Sequence, residues 1–174
     1  MTEITETAGA YPTPDDYGPW AAGYFEVATQ FEPDVFRQAL DTARTLREWA
    51  YSSLAEEAAR ASWSPEDTDR QVASRLTSVT TNAGRSAAFA EEIGLTQEAV
   101  GLLENVEKAY RLHEREKRAV DLLEQLGFST DGLTREQILE AGPSAANAVQ
   151  ARRSLESALG QIAEILDAPD TDEA

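Results

Sequence analysis

The sequence has 174 residues and no cysteine, and its 32 Asp and Glu outnumber its 15 Lys and Arg, giving a formal net charge of −17. A chain of this length can bury a substantial core, and the lack of cysteine excludes disulfides, thiolate catalysis and cysteine-ligated metals. So large an excess of acid argues against direct nucleic-acid binding, because the phosphates would be repelled. It leaves open a DNA mimic. The carboxylates also suit a halophilic protein, although a GC-rich genome equally explains the scarcity of lysine.

Residues 1–20 are predicted to form an extended arm that contains aromatic side chains. Its prolines and glycine interrupt any helix. Tyr11, Tyr17 and Trp20 are large anchors, which we expect to pack on the chain's own core or on a neighbouring subunit. The first residues lack the basic and apolar segments of a signal peptide, and no run is apolar enough to cross a membrane. We therefore expect no membrane partner, and a location in a cytoplasm or in a virus particle assembled there.

Residues 21–166 are predicted to fold as one helical bundle. After a short helix over residues 21–29, Pro33 at the first helical position opens a long helix that reaches Ser62. The residues of its predicted face recur at helical spacing: Phe36, Leu40, Ala43, Leu46 or Arg47, Ala50 and Leu54. Ser64 and Pro65 then begin a second long helix. We expect it to run to Gly94, with a bend or weak point among the poor helix formers of residues 80–84.

A third long helix is predicted over residues 96–128, with Thr96 as its N-cap and Gly127 as its C-terminal stop. Residues 113–118 form a charged run that interrupts its apolar face. We interpret the run as a solvated surface, with a polar layer against a partner helix as the alternative. Tyr110 and His113 would then lie at a seam between helices.

The last part of the chain is predicted to hold a short helix and a long one. Thr134 and Gln137 match a capping box, and the short helix should end at Gly142 and Pro143. The long helix then covers residues 144–166, and its periodic residues are Val149, Arg152, Leu155, Leu159, Ile162 and Leu166. Residues 167–174 are predicted to be an acidic tail. The expected fold class is all-α, an antiparallel helical bundle of about four long helices plus short helices.

The sequence predicts no catalytic, cofactor-binding or metal-binding residues. The single histidine, His113, has no Glu three residues before it, so the Glu-x-x-His pattern of di-iron bundles is absent. No serine lies in a nucleophile elbow, and no glycine-rich loop could hold a phosphate. We therefore do not expect an enzyme.

Three functional hypotheses follow. The first is a structural or assembly protein that forms a homo-oligomer or part of a large complex, for which a virion connector or adaptor is an analogy of shape alone. Its candidate interface residues are Tyr11, Tyr17, Trp20, Tyr110 and His113. The second hypothesis is a monomeric acidic regulator that binds a basic protein surface or mimics DNA, with binding that weakens in salt. The third is a helical enzyme with a pocket that the sequence does not reveal.

Overall fold

The computed structural model describes residues 9–167, and within that range all regular structure is helical, with no strand. Its α-helices are α1 Ala22–Phe25, α2 Pro33–Ala61, α3 Pro65–Arg85, α4 Ala87–Glu92, α5 Gln97–Gln125 and α6 Arg135–Asp167. The predicted all-α bundle with four long helices is confirmed. The chain divides between Arg111 and Leu112, within α5, into two compact units, which we call the first and the second unit. Residues 1–8 of the predicted arm and 168–174 of the predicted tail lie outside the described range.

Helix α2 begins and ends where the sequence predicts. Pro33 occupies the first helical position, where its missing N–H costs nothing, after an extended Glu32. Ser62 stops the helix with a left-handed backbone, at φ 53°. The predicted apolar face is buried from Phe36 to Leu54, at Phe36, Leu40, Ala43, Leu46, Ala50 and Leu54. The period of the sequence therefore identified the core face of α2.

The second predicted helix is two helices. Ser64 caps α3 as expected, because the Asp67 N–H donates to its Oγ at 3.1 Å. However, α3 ends at Arg85 instead of reaching Gly94. Ser86 leaves the helical conformation, at φ −132° and ψ 109°, and its Oγ accepts from the Phe89 N–H to cap α4. The expected weak point among residues 80–84 is thus a complete break at Ser86, where a second cap satisfies the new helix start.

The core of the first unit lies between α2, α3 and α5. Its largest fully buried side chains are Phe36, Leu40 and Leu46 of α2, Val72 of α3, and Val100, Leu103 and Val106 of α5, together with Val27. The residues that precede α2 pack against this core as partly buried aromatic side chains: Trp20, Tyr24, Phe25 and Phe31. The described part of the predicted arm therefore covers the core of its own unit.

Helix α5 has the predicted caps. The Ala99 N–H donates to the Thr96 Oγ1 at 3.1 Å, which satisfies one of the donors that a helix start leaves unpaired. Gly127 adopts a left-handed backbone, at φ 84°, and the Phe128 N–H donates to the Leu123 carbonyl at 3.0 Å. That bond is typical of a glycine-terminated helix.

The prediction of a helix break at Pro143 is wrong, because α6 continues through it from Arg135 to Asp167. Proline removes one backbone hydrogen bond, to the residue four before it, but residues on both sides are held by packing. Gly142 is buried, and a Cβ built on it would lie 3.0 Å from the Ala119 Cβ. Ile138 and Ala145 are also buried. The close contact with α5 outweighs the local preference of proline.

Within the second unit, α6 contacts α5, and residues later in α6 contact residues later in α5. The Arg135 Nε lies 2.9 Å from Glu116 Oε2, and the Arg152 Nη1 donates to the Gln125 carbonyl at 3.5 Å. The start of α6 is fixed by the predicted capping box: the Thr134 N–H donates to Gln137 Oε1, and the Gln137 N–H to Thr134 Oγ1. Val149 is the last buried residue of α6 in the described part of the chain.

Candidate functional site

The second half of α6 has no covering layer. Every residue from Gln150 to Leu166 is exposed. Five of these residues are large and apolar, and they remain between 51% and 78% exposed: Leu155, Leu159, Ile162, Ile165 and Leu166. We call these five residues the apolar stripe. Folded monomers seldom leave a contiguous row of such side chains in water, so the stripe marks a candidate interaction surface.

Four residues of the apolar stripe lie along one face of α6. Leu155, Leu159, Ile162 and Leu166 are spaced by four, three and four residues, which is the heptad spacing at which helices pack side by side. At about 100° per residue, the four side chains lie within about 60° of the helix circumference, and Ile165 widens the face at one edge. The apolar stripe therefore has the form of a helix-pairing seam.

The charges beside the apolar stripe change sign along the helix. Arg152 and Arg153 precede the stripe, whereas Glu164 lies near its end. Arg152 also pairs with Glu156 at 2.9 Å, and both of these side chains remain more than half exposed. A second such helix in the antiparallel direction would place basic residues opposite acidic ones at both ends, whereas a parallel helix would align like charges.

No comparable apolar row lies elsewhere in the described residues. The other exposed large apolar side chains are separated in sequence: Tyr11, Tyr51, Phe128 and Leu133. In residues 1–8 and 168–174 of the printed sequence, the large apolar residues are Met1 and Ile4. Neither set repeats the four-three spacing, so the best match to the stripe in this sequence is the stripe of another copy.

Tyr17 and Trp20, two of the predicted interface residues, pack on the first unit. Tyr17 is 9% exposed, its hydroxyl donates to Asp41 Oδ1 at 2.9 Å, and the Arg44 guanidinium lies 4.3 Å from its ring centroid. Burial, together with the bond to Asp41, raises the pKa of Tyr17 to about 12. Trp20 is half-buried, with its ring centroid 6.2 Å from that of Tyr17. Both side chains thus stabilise the fold of their own unit.

The other three predicted interface residues lie in different settings. Tyr11 is 41% exposed, and its hydroxyl donates to the Phe31 carbonyl at 2.6 Å. Tyr110 is half-buried and meets Tyr24 edge to face, with ring centroids 5.4 Å apart. His113 is half-buried on the part of α5 that belongs to the second unit. Their role in contacts with another chain stays a prediction.

A cleft of about 260 Å³ lies within the first unit, bounded by α1, α2, α3, α5 and the residues before α1. Its apolar walls are formed by Trp20, Tyr24, Leu46, Leu76, Leu103 and Tyr110. Its polar groups belong to Arg47, Thr77, Thr80, Glu107 and Arg111. A mostly apolar concavity with a few convergent polar groups is the usual form of a small-molecule site. We call it the aromatic cleft.

The acidic group of the aromatic cleft is paired within the protein. The Glu107 side chain is 16% exposed, and its Oε2 accepts from Arg111 Nη2 at 3.0 Å. The Tyr24 hydroxyl donates to Glu107 Oε1 at 3.5 Å. Burial raises the pKa of the Glu107 carboxyl above its ordinary value, and burial followed by the nearby Glu107 charge raises that of Tyr24.

The Arg47 guanidinium, a basic group of the aromatic cleft, lies farther from its acidic partner than Glu107 lies from Arg111. The Arg47 side chain is 16% exposed, and its Nη2 lies 3.6 Å from Asp69 Oδ1, beyond the distance of an ordinary hydrogen bond. Its guanidinium lies 5.1 Å from the Trp20 ring centroid. Burial lowers the pKa of Arg47, although a guanidinium remains charged at any physiological pH. The cleft therefore contains a largely buried cation whose ion pair with Asp69 is longer than an ordinary hydrogen bond.

The sequence pointed to some residues of each site, among them Trp20 and Tyr110 of the cleft, without revealing either site. Leu155, Leu159 and Ile162 were placed on a helical face, but spacing does not distinguish a face that covers the chain's own core from one that meets another chain. Glu107 did carry a signal, because it follows Leu103 by four residues and precedes Tyr110 by three. A carboxylate at that spacing lies on the buried face of the helix.

Searches for a matching family model, a related curated protein and a similar solved structure all found no match. Among residues 9–167, no helix has the length and apolar character needed to span a bilayer. In the same range, no group of three or more ligating side chains is placed to hold a metal ion. The function must therefore be argued from the two candidate sites themselves.

Proposed function

We propose that this protein is a structural or assembly subunit that forms a homo-oligomer through the apolar stripe of α6. The observation that carries the proposal is the exposure of five large apolar side chains on a helix whose residues from Gln150 to Leu166 are all exposed. Fully burying one such side chain lowers the free energy by about 1.5–3 kcal/mol relative to leaving it in water. A partner helix that covers the row would therefore gain a large free energy of association.

A second copy of this chain is the proposed occupant of the stripe. In an antiparallel pair about a two-fold axis, Leu155 lies opposite Leu166, and Leu159 lies opposite Ile162. The same arrangement brings Arg152 and Arg153 towards the acidic end of the other helix. An isologous contact uses the same surface on both copies, which fits a chain whose described residues carry one such row.

Size exclusion with light scattering tests the proposal, and two variants with the same added charge sharpen it. Leu159→Glu places a carboxylate in the middle of the stripe, and we expect it to weaken association at least about a hundredfold, because an unpaired buried charge costs several kcal/mol. Gln161→Glu adds its carboxylate two residues away, off the seam, and should associate like the parent chain. Far-ultraviolet circular dichroism confirms that both variants keep their helices.

The outcomes separate the first two functional hypotheses, the assembly subunit and the monomeric regulator. A defined oligomer that Leu159→Glu dissociates supports the assembly subunit. A parent chain that is monomeric at all accessible concentrations contradicts self-association, and favours a regulator that offers the stripe to a different protein. For an assembly subunit, the setting that we propose is a large complex in a cytoplasm or in a virus particle. The acidic surface of the chain also suits a halophilic host, because solvated carboxylates keep a protein soluble in high salt.

A further inference from the structure

The aromatic cleft of the first unit is separate in sequence and in unit from the apolar stripe, and the proposed assembly does not use it. Its volume of about 260 Å³ is slightly below the pockets of about 300–1,000 Å³ that hold drug-sized ligands. A molecule with one ring and a short substituent therefore suits its size.

The walls of the cleft favour a planar apolar body. The Trp20 and Tyr24 rings meet edge to face with centroids 6.4 Å apart, at an interplanar angle of 74°. Tyr24 and Tyr110 also meet edge to face. Perpendicular rings present both faces and edges to a guest, and a guest ring gains from edge-to-face contacts with them. Leu76 and Leu103 complete apolar walls on α3 and α5.

The charges of the cleft favour a carboxylate over an amine. Glu107 already accepts from Arg111 at 3.0 Å, so a cationic guest would compete with an internal guanidinium. Arg47 is as deeply buried, and its counterion Asp69 lies 3.6 Å away with a side chain that is 58% exposed. A planar guanidinium recognises a carboxylate through two parallel hydrogen bonds, which are strong where water is scarce.

We propose that the aromatic cleft binds a small aromatic monocarboxylate, with its carboxylate on the Arg47 guanidinium and its ring between Trp20, Tyr24 and Leu76. Thr77 and Thr80 also line the cleft, and their hydroxyl groups can bond a polar substituent on the guest. The site is a binding site and includes no chemical step.

The test compares three probes of similar shape by isothermal titration calorimetry and ligand-observed NMR: phenylacetate, 2-phenylacetamide and phenethylamine. We expect phenylacetate to bind the full chain at least about tenfold more tightly than the amide, since only the carboxylate gains the charged bonds. The amine should bind no better than the amide. This comparison needs no variant, so it stands even if a substitution in the cleft prevents folding.

Two matched variants then locate the binding. Arg47→Met keeps the apolar stem of the side chain and removes its charge, and it should abolish the preference for phenylacetate over the amide. Arg70→Met removes a guanidinium from α3 that lies outside the cleft and pairs with Asp67 at 3.0 Å, and it should leave the preference unchanged. Circular dichroism and thermal unfolding show whether each variant folds.

Three results would overturn the proposal. The first is no binding of any probe to the parent chain, and the second is equal binding of the carboxylate and the amide. The third is tighter binding of phenethylamine that Glu107→Gln removes, which would make the cleft a cation site. None of these results depends on the oligomeric state, so this proposal and the proposed assembly can fail separately.

Discussion

Gly23 lies against the ring of Tyr110, and a larger residue there has no room. A Cβ built on Gly23 would lie 2.7 Å from the Tyr110 Oη and 2.8 Å from its Cζ. Because Tyr110 also packs on Tyr24, the ring cannot move without disturbing the aromatic cleft. We expect Gly23→Ala to lower the free energy of unfolding by about 1–3 kcal/mol, the usual cost of overpacking, as measured by urea denaturation.

Gly101 provides the matched control for this prediction. It lies within α5, and a Cβ added there would meet no atom within 4 Å. Alanine is favoured over glycine in a helix by about 1 kcal/mol, so Gly101→Ala should raise the stability. If Gly23→Ala proves as stable as Gly101→Ala, Tyr110 does not occupy the position described.

Glu107 makes the stability depend on pH with a definite sign. Burial raises its pKa in the folded state above the ordinary 4.5, so in the interval between those two values the folded chain binds more protons than the unfolded chain. The stabilisation from this group is present below pH 4.5, and it is lost as the pH rises through the folded-state pKa. The free energy of unfolding of the parent chain, measured relative to Glu107→Gln, should therefore fall with rising pH.

Urea denaturation of the two chains between about pH 5 and about pH 7 measures this difference. A difference for Glu107→Gln that grows in the parent's favour as the pH rises would mean that Glu107 is stabilised in its charged form.

At the scale of single residues, the sequence predicted what depends on neighbours along the chain. Ser64, Thr96 and Thr134 cap their helices as expected, because a cap joins groups three residues apart. It did not predict the approach of Glu107 to Tyr24, which joins residues 83 positions apart. Pairings over such separations depend on the packing of helices, and periodicity does not encode them.

At the scale of the helix, Pro143 tests how far packing overrides local preference. It is exposed within α6, so replacing it removes little buried surface and restores one backbone hydrogen bond. Proline is about 3 kcal/mol less favourable than alanine in a helix interior. We expect Pro143→Ala to raise the unfolding free energy by about 1–3 kcal/mol, as measured by thermal denaturation followed by circular dichroism.

Pro65 is the control, because it occupies the first position of α3, where proline is favoured. Pro65→Ala should give no gain or a small loss. If Pro143→Ala instead lowers the unfolding free energy by about 1–3 kcal/mol, the chain needs a bend at that position. The predicted division into two helices would then describe the chain better than one continuous α6.

The direction of helix pairing through the apolar stripe can be tested by cross-linking. The chain has no cysteine, so introduced thiols can be placed singly. In the antiparallel arrangement, a mixture of Leu155→Cys and Leu166→Cys chains should form mixed disulfides, because the two positions face one another across the seam. Each variant alone should cross-link poorly.

Mass spectrometry of the oxidised mixture distinguishes the possible products. A parallel pair would bring each position next to itself, so that each variant would cross-link with its own kind and the mixed product would gain no advantage. Ser157→Cys, which lies off the seam on the same exposed helix, controls for random collisions. Mixed products at the rate of this control would contradict pairing through the stripe.

At the scale of the whole molecule, the sequence predicted the fold class and left the environment of each face undecided. The same four-three spacing describes Leu40 and Leu103, which are buried, and Leu159, which is 56% exposed. The spacing of apolar residues shows that one face of a helix is apolar. Whether that face is buried within the chain or needs a second chain to bury it depends on how many helices of the same chain surround it. Tyr17 and Trp20 show the same limit: the sequence left open whether they pack on their own core or on a neighbouring subunit, and in the structure they contact the core of their own unit.

The net charge gives the last prediction, which concerns salt. Each copy carries a charge of −17, so two copies repel one another until salt screens them, with a Debye length of about 30 Å at 0.01 M and about 3 Å at 1 M. Apolar burial drives the proposed pairing, and added salt leaves it intact or strengthens it. Association should therefore increase from low to molar salt in light scattering, while Leu159→Glu stays monomeric at both. Dissociation in salt would mean that pairs such as Arg153 with Glu164 hold the copies together, and the apolar stripe would then need a different partner.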